Sequence, residues 1–396
     1  MSNTSNFHPL SLSKGTAKNT ILRPAQEIAF LASSSRRATK SLPKILVIVG
    51  PTASGKSALA LKLAKKFNGE IVSADSRQIY RGMDIGTAKG KAQIAKSKIA
   101  HHLIDIKNPD EEYSLADYKR DALRAIRGIL RRGKLPILVG GTGLYVKAIV
   151  ENLDIPEVKA DPKLRKEIKE RIEKKGLDSV AEELLKLDPE AAYIVDLKNP
   201  RRVVRALEVA IQTGKPFTAQ RKKGEPLFDA LELGVKLPPV KLRQRIESRV
   251  DEMIRAGLVK EVQELLNKYG RTSVLINTIG YREIIDYLAA GCYSSLSLSK
   301  GGVQKCYPST HSGNNIFEQS VPLKEISINQ PNQHKSALPQ EVAKQIKQNT
   351  WAYAKRQMTW FRKDKRINWI KSEKEAESLV KKFSLSFSDS IRESKM

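Results

Sequence analysis

The stretch GPTASGKS at residues 50–57 matches the phosphate-loop pattern G-x-x-x-x-G-K-S, in which backbone N–H groups and a lysine surround phosphate oxygens. An apolar β-branched run, Ile45–Val49, comes directly before it, and a segment with helical periodicity, Lys56–Phe67, follows. This order of strand, loop and helix is the context that the pattern requires. We therefore predict an anion site, with Mg²⁺ held by the Ser57 hydroxyl, that is built from Gly50, Pro51, Thr52, Ala53, Ser54, Gly55, Lys56 and Ser57.

Short strands and helices alternate after this loop. Ile71–Ser73 and Pro136–Val139 are apolar runs that predict two further buried strands. Between them, Ser114 and Asp117 have the spacing of a helix capping box, and the helix that they open is expected to end before Gly133. The alternation predicts an α/β fold, a P-loop-containing parallel sheet flanked by helices.

Composition divides the chain into seven segments. Strand patterns disappear between 152 and 228, and an alternating run at 230–237 then looks like a strand that rejoins the sheet. Residues 291–340 are rich in Ser, Gly, Asn and Gln without periodicity, as expected of an inserted surface loop. The predicted segments are a disordered extension (1–43), the first part of the core (44–151), an inserted all-helical subdomain (152–228), the second part of the core (229–290), a low-complexity insertion (291–340), a basic C-terminal helical region (341–374) and a flexible tail (375–396).

The formal net charge of +28, from 71 basic and 43 acidic residues, indicates a polyanionic partner or an anionic surface. No apolar run approaches the roughly 20 residues of a membrane-spanning helix, so we expect no membrane span. Cys292 and Cys306 are too few for a disulfide framework or a four-cysteine metal site. Residues 1–43 are rich in Ser and basic residues, which fits either a floppy tail or an organelle-targeting peptide.

Two polar groups follow predicted strands. Asp75 comes after Ile71–Ser73, and Thr142 lies in the run Gly140–Gly143 after the third strand. Because ligands of open α/β sheets bind at the carboxyl ends of the strands, both groups should lie beside the phosphate loop. From this position Asp75 could serve as a magnesium ligand, as a general base or as a helix N-cap. The glycines around Thr142 either let a substrate approach the backbone closely or form a plain turn.

Basic residues concentrate in two later segments. One carries arginines at helical spacing in the inserted subdomain: Arg201, Arg202 and Arg205, with Arg165 on an earlier helix. The other, NTWAYAKRQMTWFRKDKRINW, interleaves Lys and Arg with the three tryptophans of the chain, Trp351, Trp360 and Trp369. Cations that hold phosphates beside aromatic stacking faces suit RNA with unpaired bases. The alternative is a buried aromatic stripe with a solvated charged face.

These stretches together resemble the tRNA dimethylallyltransferase family. The resemblance runs from about Lys44 to Ile370, apart from the insertion at 291–340, and its motifs occur in the family's order: GPTASGKS, SADSRQIYRGMDIGTAK, HHLIDI, YSLADYKRDA, LVGGTGLY, RALEV, IGYREIIDYL and YAKRQMTWFRK. Most of these motifs are not shared with kinases. The insertion and the N-terminal extension depart from the family's pattern.

The resemblance implies the reaction. The family moves a dimethylallyl group from dimethylallyl diphosphate to N6 of the adenosine on the 3′ side of the anticodon, using Mg²⁺ and releasing diphosphate. It implies that Asp75 is the general base and that Thr142 helps to hold the amine, while the phosphate loop binds the diphosphate. A carboxylate can accept the N6 proton because that proton becomes acidic as the carbon–nitrogen bond forms.

The resemblance also implies how tRNA binds. We expect the inserted helices to clasp the anticodon stem-loop from one side and the basic C-terminal helix to lie on the other, with the target base out of its stack. The implied tRNA contacts are Asp75, Ser76, Arg77, Gln78, Thr142, Arg165, Arg201, Arg202, Val203, Val204 and Arg205. A monomeric, cytoplasmic enzyme of the bacterial type is expected.

Three other functions share some of these features. A P-loop kinase of a small metabolite shares the loop and the sheet but has no use for the basic C-terminal segment. An isopentenyltransferase that acts on free adenylate does not need the inserted subdomain. A noncatalytic RNA-binding protein explains the charge and leaves the phosphate loop, Asp75 and Thr142 without a role.

Overall fold

The computed structural model of the protein describes residues 41–156, 158, 160–220, 223–297 and 338–393. Its strands are β1 (Lys44–Val49), β2 (Gly69–Ser73), β3 (His101–His102), β4 (Leu135–Gly140), β5 (Asp229–Val235) and β6 (Asn368–Ile370). They form one parallel sheet in the order β3-β2-β4-β1-β5-β6. The α/β fold that the sequence predicts is confirmed, and the extension before residue 41 lies outside the described residues.

The helices come between and after these strands. They are α1 (Lys56–Lys66), α2 (Lys91–Ser97), α3 (Leu115–Arg131), α4 (Gly143–Val150), α5 (Pro162–Leu187), α6 (Ala191–Ile194), α7 (Pro200–Thr213), α8 (Pro239–Arg255), α9 (Leu258–Tyr269), α10 (Ser273–Ile276), α11 (Tyr281–Ser297), α12 (Gln340–Arg362) and α13 (Glu373–Glu393). The capping box predicted for α3 is present, since Ser114 and Asp117 bond each other's backbone N–H groups. Among the described helices, none combines the length and the apolar content that crossing a bilayer requires.

Strand β1 is buried on both faces. Alternate residues point to opposite sides, so Val47 packs with α3 and α4, whereas Ile48 packs with α1 and α13. A strand covered by helices on both faces has no solvent side, which explains why its sequence is an unbroken apolar run. The phosphate loop that follows β1 therefore starts from a rigid, central position in the sheet.

The tail predicted to be flexible from residue 375 is instead helix α13 through Glu393. Ala376 and Val380 are buried against the sheet, and Glu373 lies 2.6 Å from Lys62 of α1. The Ser-rich composition did not reveal this helix because its apolar residues find their partners only on a sheet formed by distant strands. The prediction of a flexible tail is wrong for the described residues.

Helices α5 to α7 pack around a small core of their own in the segment 152–228, which includes Ile168, Leu184 and Leu207. Helix α5 is kinked at Gly176, which has a non-helical backbone conformation with a φ of 83°. Only a residue without Cβ adopts this conformation at little cost.

Two boundaries near the insertion differ from the prediction. Helix α11 continues to Ser297, so residues 291–297 are helical and not part of a loop, and the region predicted to be helical from 341 to 374 contains strand β6 after α12. Serine and glycine weaken a helix without stopping it, and β6 forms because β5 offers a parallel partner. The part of the insertion at 298–337 lies outside the described residues.

A buried carboxylate joins β2 to β3 and to the start of β4. Glu70 is 3% exposed, and its oxygens lie 2.6 Å from Arg132 Nη2, 3.0 Å from Lys134 Nζ and 2.8 Å from His102 Nε2. Burial alone would raise the pKa of Glu70, but these contacts outweigh it and lower the pKa to about 2. The charged carboxylate therefore stabilises this side of the sheet.

We expect Glu70→Gln to lower the free energy of unfolding by about 1–2 kcal/mol at neutral pH, because the partners of Glu70 are partly exposed and screened by water. The folded pKa is below the ordinary 4.5, so this stabilisation is complete above about pH 4.5 and is lost as the pH falls toward 2. Urea titrations at neutral pH and near pH 3 should show the difference from wild type shrinking. Glu264→Gln, at a carboxylate that is 67% exposed, is the control, and a difference that does not change with pH contradicts the expectation.

Candidate active site

The phosphate loop lies at the centre of the carboxyl edge of the sheet, between the ends of β4 and β5. Gly50 must be a glycine, because a Cβ there would lie 2.5 Å from the carbonyl oxygen of Val235. Ala53 and Gly55 have φ values of 62° and 97°, which turn the loop into the start of α1. The local sequence thus determines both the sharp turn and the direction of the helix.

The loop presents hydrogen-bond donors that have no acceptor. In the described part of the chain, the N–H groups of Gly55, Lys56 and Ser57 make no backbone hydrogen bond, and the buried Ser54 hydroxyl has no partner. The first turn of α1 contains no acidic residue. Unpaired donors at a helix N-terminus, where the helix dipole is positive, fit a bound anion.

The Lys56 ammonium adds a cation to these donors. Its Nζ donates to the carbonyl oxygen of Pro51 at 3.2 Å. Burial lowers the pKa of Lys56 to about 8, while the Asp75 carboxylate opposes this shift and Arg249 adds to it. An anionic ligand on Nζ would hold the charged form and reverse the shift.

Sequence reasoning missed two arginines that extend this cationic site. A Cβ on Gly55 would lie 3.5 Å from Nη1 of Arg245, and Arg249, one turn later on α8, influences Lys56 electrostatically. Burial lowers the pKa of Arg249, and neither arginine has an ion pair or a side-chain hydrogen bond to another described residue. The signal for them was their position beside the apolar stripe Leu242 and Ile246, which packs α8 against Ala53 of the loop.

Asp75 and Thr142 meet at the same edge, as the strand order requires. The Asp75 Oδ1 atom accepts a hydrogen bond from the backbone N–H of Arg77 at 2.9 Å. The Thr142 hydroxyl accepts one from the N–H of Ser76 at 3.1 Å, and the N–H of Thr142 donates to the carbonyl of Ala74 at 3.1 Å. The Asp75 bond is of the capping kind, but it occupies one oxygen only, so Asp75 keeps acceptor capacity for a substrate proton.

Three tyrosines, Tyr118, Tyr145 and Tyr353, lie close enough to Asp75 to interact with its charge. Tyr118 stacks on Tyr145 with ring centroids 3.8 Å apart, and its hydroxyl donates to the carbonyl of Ser73. Burial, followed by the Asp75 charge, raises the pKa of Tyr353 to about 12. The Asp75 carboxylate therefore interacts electrostatically with these tyrosines and with the Lys56 cation.

The glycines at the end of β4 and directly after it are explained by contacts within the protein. A Cβ on Gly140 would lie 2.0 Å from the carbonyl oxygen of Ala74, one on Gly141 would lie 2.2 Å from Gln357 Nε2, and one on Gly143 would lie 2.1 Å from Trp360 Nε1. Atoms of the protein itself occupy the space where each Cβ would lie. The expectation that these glycines make room there for a substrate is therefore wrong. They let β2 and α12 come close to the loop that carries Thr142.

The basic residues of the inserted subdomain fall into two groups. Arg201 and Arg202 are exposed at the start of α7, and Arg202 has one weak ion pair with Asp196 at 3.3 Å. In contrast, Arg165 and Arg205 are both bonded to the buried Glu208 at 2.7–3.0 Å. The first pair is available to a phosphate, whereas the second pair also organises the subdomain.

Two residues of this arginine run cannot contact an RNA through their side chains. Val203 is 0% exposed and Val204 is 7% exposed, because both face the small core between α5 and α7. Their side chains therefore offer no contact surface to tRNA, and binding of tRNA by this segment stays a prediction. In a helix, residues next to exposed arginines turn to the opposite, packed face.

Of the three tryptophans, only Trp360 offers an open aromatic face. It is 43% exposed, whereas Trp351 packs beside α8 and Trp369 lies in β6 against the core. Arg366 is also less available than expected, because Glu151 and Asp364 hold it. The interpretation as a buried aromatic stripe thus holds for two of the tryptophans.

The chain is similar to known proteins along most of its length. A family model described as IPP transferase matches residues 78–364, and one described as isopentenyl transferase matches residues 43–103. The chain is 43% identical to the tRNA dimethylallyltransferase of Acetivibrio thermocellus over 251 residues, which is 62% of this chain and 80% of that protein.

The chain belongs to the tRNA dimethylallyltransferase family. It is therefore an enzyme, a transferase, and these relatives give no support to a small-metabolite kinase. A second relative in this family, from Herpetosiphon aurantiacus, is 46% identical over 242 residues, or 61% of this chain and 76% of that protein.

Solved structures of tRNA dimethylallyltransferases and isopentenyltransferases share the fold. The full-length tRNA isopentenylpyrophosphate transferase of Bacillus halodurans has a TM-score of 0.56 and 32% identity, over 89% of this chain and 99% of that one. A eukaryotic dimethylallyltransferase captured acting on tRNA has a TM-score of 0.59 and 28% identity, over 80% and 69% of the two chains.

Proposed function

We propose that this enzyme transfers the dimethylallyl group of dimethylallyl diphosphate to N6 of the adenosine 3′ to the anticodon of tRNA. The observation that carries the proposal is the pairing of two sites at one edge of the sheet. Unpaired donors and three cations, Lys56, Arg245 and Arg249, call for a highly charged anion, while Asp75 and Thr142 beside them suit an amine. A diphosphate leaving group and an exocyclic amine satisfy both.

In the proposed reaction the N6 lone pair attacks C1 of the dimethylallyl group. The bond between C1 and the diphosphate oxygen breaks, and its electron pair leaves with the diphosphate. The N6 proton passes to the Asp75 carboxylate as the carbon–nitrogen bond forms, and the Thr142 hydroxyl helps to orient the amine. Lys56 and the loop N–H groups stabilise the charge that develops on the leaving group.

The residues present fit a magnesium ion that is shared with the substrate. Ser57 is exposed at the first turn of α1, and no group of three or more His, Cys, Asp or Glu side chains in the described part could hold a metal by itself. Mg²⁺ prefers oxygen ligands and commonly takes several from phosphates and water. When bound through the Ser57 hydroxyl and diphosphate oxygens, it would neutralise charge on the leaving group.

The acceptor RNA would contact the exposed cations around this edge. We assign the RNA contacts to the cations Arg201 and Arg202 on the subdomain, and also to the loop Ser76–Gln78 and to Trp360 on α12. Every group named comes from one chain, so we expect a monomer to be active. A cytoplasmic location stays a prediction.

We expect Arg202→Ala to weaken tRNA binding by about 5–30-fold and to reduce the slope of log affinity against log salt by about 1, since one phosphate contact is lost. Binding of dimethylallyl diphosphate should not change. Arg124→Ala is a matched control, because Arg124 is also an exposed helical arginine with one weak ion pair, to Asp121 at 3.4 Å. An unchanged salt slope for Arg202→Ala, or an equal loss for Arg124→Ala, counts against this contact.

The function itself is tested with labelled dimethylallyl diphosphate, Mg²⁺ and an anticodon stem-loop. We expect label to enter RNA that has adenosine 3′ to the anticodon and not RNA that has guanosine there. Free adenosine monophosphate is included as acceptor, because its labelling would favour the free-adenylate alternative. Failure to label any acceptor, with dimethylallyl diphosphate nonetheless bound, would sink the proposal.

A further inference from the structure

One side chain of α12 connects the two halves of the site. Gln357 is 6% exposed. Its Oε1 accepts a hydrogen bond from the backbone N–H of Thr52 in the phosphate loop at 2.8 Å, and its Nε2 donates to the carbonyl of Gly141 at 2.9 Å. These partners are 305 and 216 positions away in the sequence.

Only a carboxamide of this length satisfies both contacts. One of its ends must accept and the other must donate, since Thr52 offers an N–H and Gly141 offers a carbonyl. Each partner lies next to a group with a proposed role: Thr52 belongs to the loop proposed to bind the diphosphate, and Gly141 directly precedes Thr142. A buried polar side chain that is hydrogen-bonded at both ends restricts the relative movement of the groups it joins.

The packing around the bridge is tight. A Cβ on Gly141 would lie 2.2 Å from Gln357 Nε2 and 3.7 Å from the carbonyl oxygen of Gly50, so the amide fills the space between the two loops. Burial and the Asp75 charge raise the pKa of Tyr353, one turn earlier on α12, while a hydrogen bond with Gln357 lowers it. The same helix face therefore meets the phosphate loop, the Thr142 loop and the surroundings of Asp75.

We propose that Gln357 is a positioning residue for the transfer reaction, which sets the separation between the loop that holds the diphosphate and the loop that holds the acceptor amine. The inference rests on the proposed function. Reacting atoms must come within about 3–3.5 Å with correct alignment, and a misplacement of about 1 Å can cost 10²-fold in rate. Gln357 contacts neither substrate and acts through Thr52 and Gly141.

The direct test compares Gln357→Ala with Gln345→Ala. Gln345 is an exposed glutamine on the same helix, so it controls for the change in helix propensity. We expect Gln357→Ala to lower the single-turnover rate of transfer by about 30–100-fold. The dissociation constants of dimethylallyl diphosphate and of tRNA should stay within about threefold of wild type, because the groups that bind each substrate remain.

A second pair of variants separates positioning from stability. In Gln357→Glu, the oxygen that faces the Gly141 carbonyl can donate only when it is protonated. The rate of this variant relative to wild type should therefore rise as the pH falls. The methyl group that Gly141→Ala adds should displace the Gln357 amide when Gln357 is present. In a protein that also carries Gln357→Ala, the same methyl group should fit into the space that the amide has left. The double variant is then expected within about threefold of Gln357→Ala alone.

The outcomes are distinct. If wild type does not label tRNA, the proposed function fails and this inference fails with it. If wild type is active, the inference is overturned when Gln357→Ala transfers at the wild-type rate, when its loss lies in substrate affinity, or when the Gly141 and Gln357 effects add. If Gln357→Ala does not fold, the pH dependence of Gln357→Glu decides, and a flat ratio to wild type overturns the inference.

Discussion

Asp75→Asn should reduce the rate of dimethylallyl transfer by about 10²–10⁴-fold, the contribution that general bases commonly make. The substitution keeps the size of the side chain and an oxygen that can accept from the N–H of Arg77, as Asp75 Oδ1 does at 2.9 Å. It removes the negative charge and the capacity to take the N6 proton. Asp75→Ala, which also removes the local hydrogen bond, should be at least as impaired.

The measurement is single-turnover transfer with saturating dimethylallyl diphosphate and tRNA, together with the affinity for dimethylallyl diphosphate. The affinity should be compared well below pH 8, because loss of the Asp75 charge lowers the pKa of Lys56 further. Lys56 stays charged there, so the affinity should not fall. Asp110→Asn makes the same chemical change at an exposed loop position and should retain wild-type activity. Full activity of Asp75→Asn would falsify the assignment of Asp75 as the base.

Lys56→Met should weaken the binding of dimethylallyl diphosphate by about 10²-fold and slow the transfer as well. Methionine preserves much of the stem length but carries no charge, so the diphosphate loses the cation closest to the loop. A charge-assisted hydrogen bond to phosphate is among the stronger polar contacts, and it strengthens further as charge develops on the leaving group. The transfer rate should therefore fall more than affinity alone explains.

The pH dependence gives an independent check on Lys56. Its pKa in the free enzyme is lowered to about 8, so Lys56 is charged below that pH and loses its charge above it. Affinity of wild type for dimethylallyl diphosphate should thus decline as the pH rises through about 8, and this decline should be absent in Lys56→Met. Lys65→Met, at an exposed lysine of the same helix, is the control. An identical pH profile in Lys56→Met and wild type would contradict the assignment.

The sequence predicted the features that depend on neighbouring residues. The phosphate-loop pattern, the apolar runs of β1, β2 and β4, and the capping box of α3 are all short-range signals, and the elements that they predict are present. The meeting of Asp75 with Thr142 also followed, because parallel strands bring their carboxyl ends to one edge. The chemical roles of these residues stay predictions.

The sequence could not predict which residues face each other across the fold. Val203 and Val204 adjoin exposed arginines but are buried, and Arg245 and Arg249 lie over the phosphate loop only because α8 packs beside it. Helix α13 was overlooked because its apolar partners belong to a sheet assembled from distant strands. Periodicity indicates that a face is apolar and does not identify its partner.

By itself, the sequence determined an α/β fold with a phosphate loop after its first strand, and its motifs indicated the family. The tertiary structure alone decided how the working groups are held together. Gln357 shows the reason: in the sequence it is one residue of a basic helical segment, yet its amide joins Thr52 and Gly141, which lie 305 and 216 positions from it. Local patterns depend on residues a few positions apart, whereas contacts of this kind exist only after the sheet and the C-terminal helix have packed together.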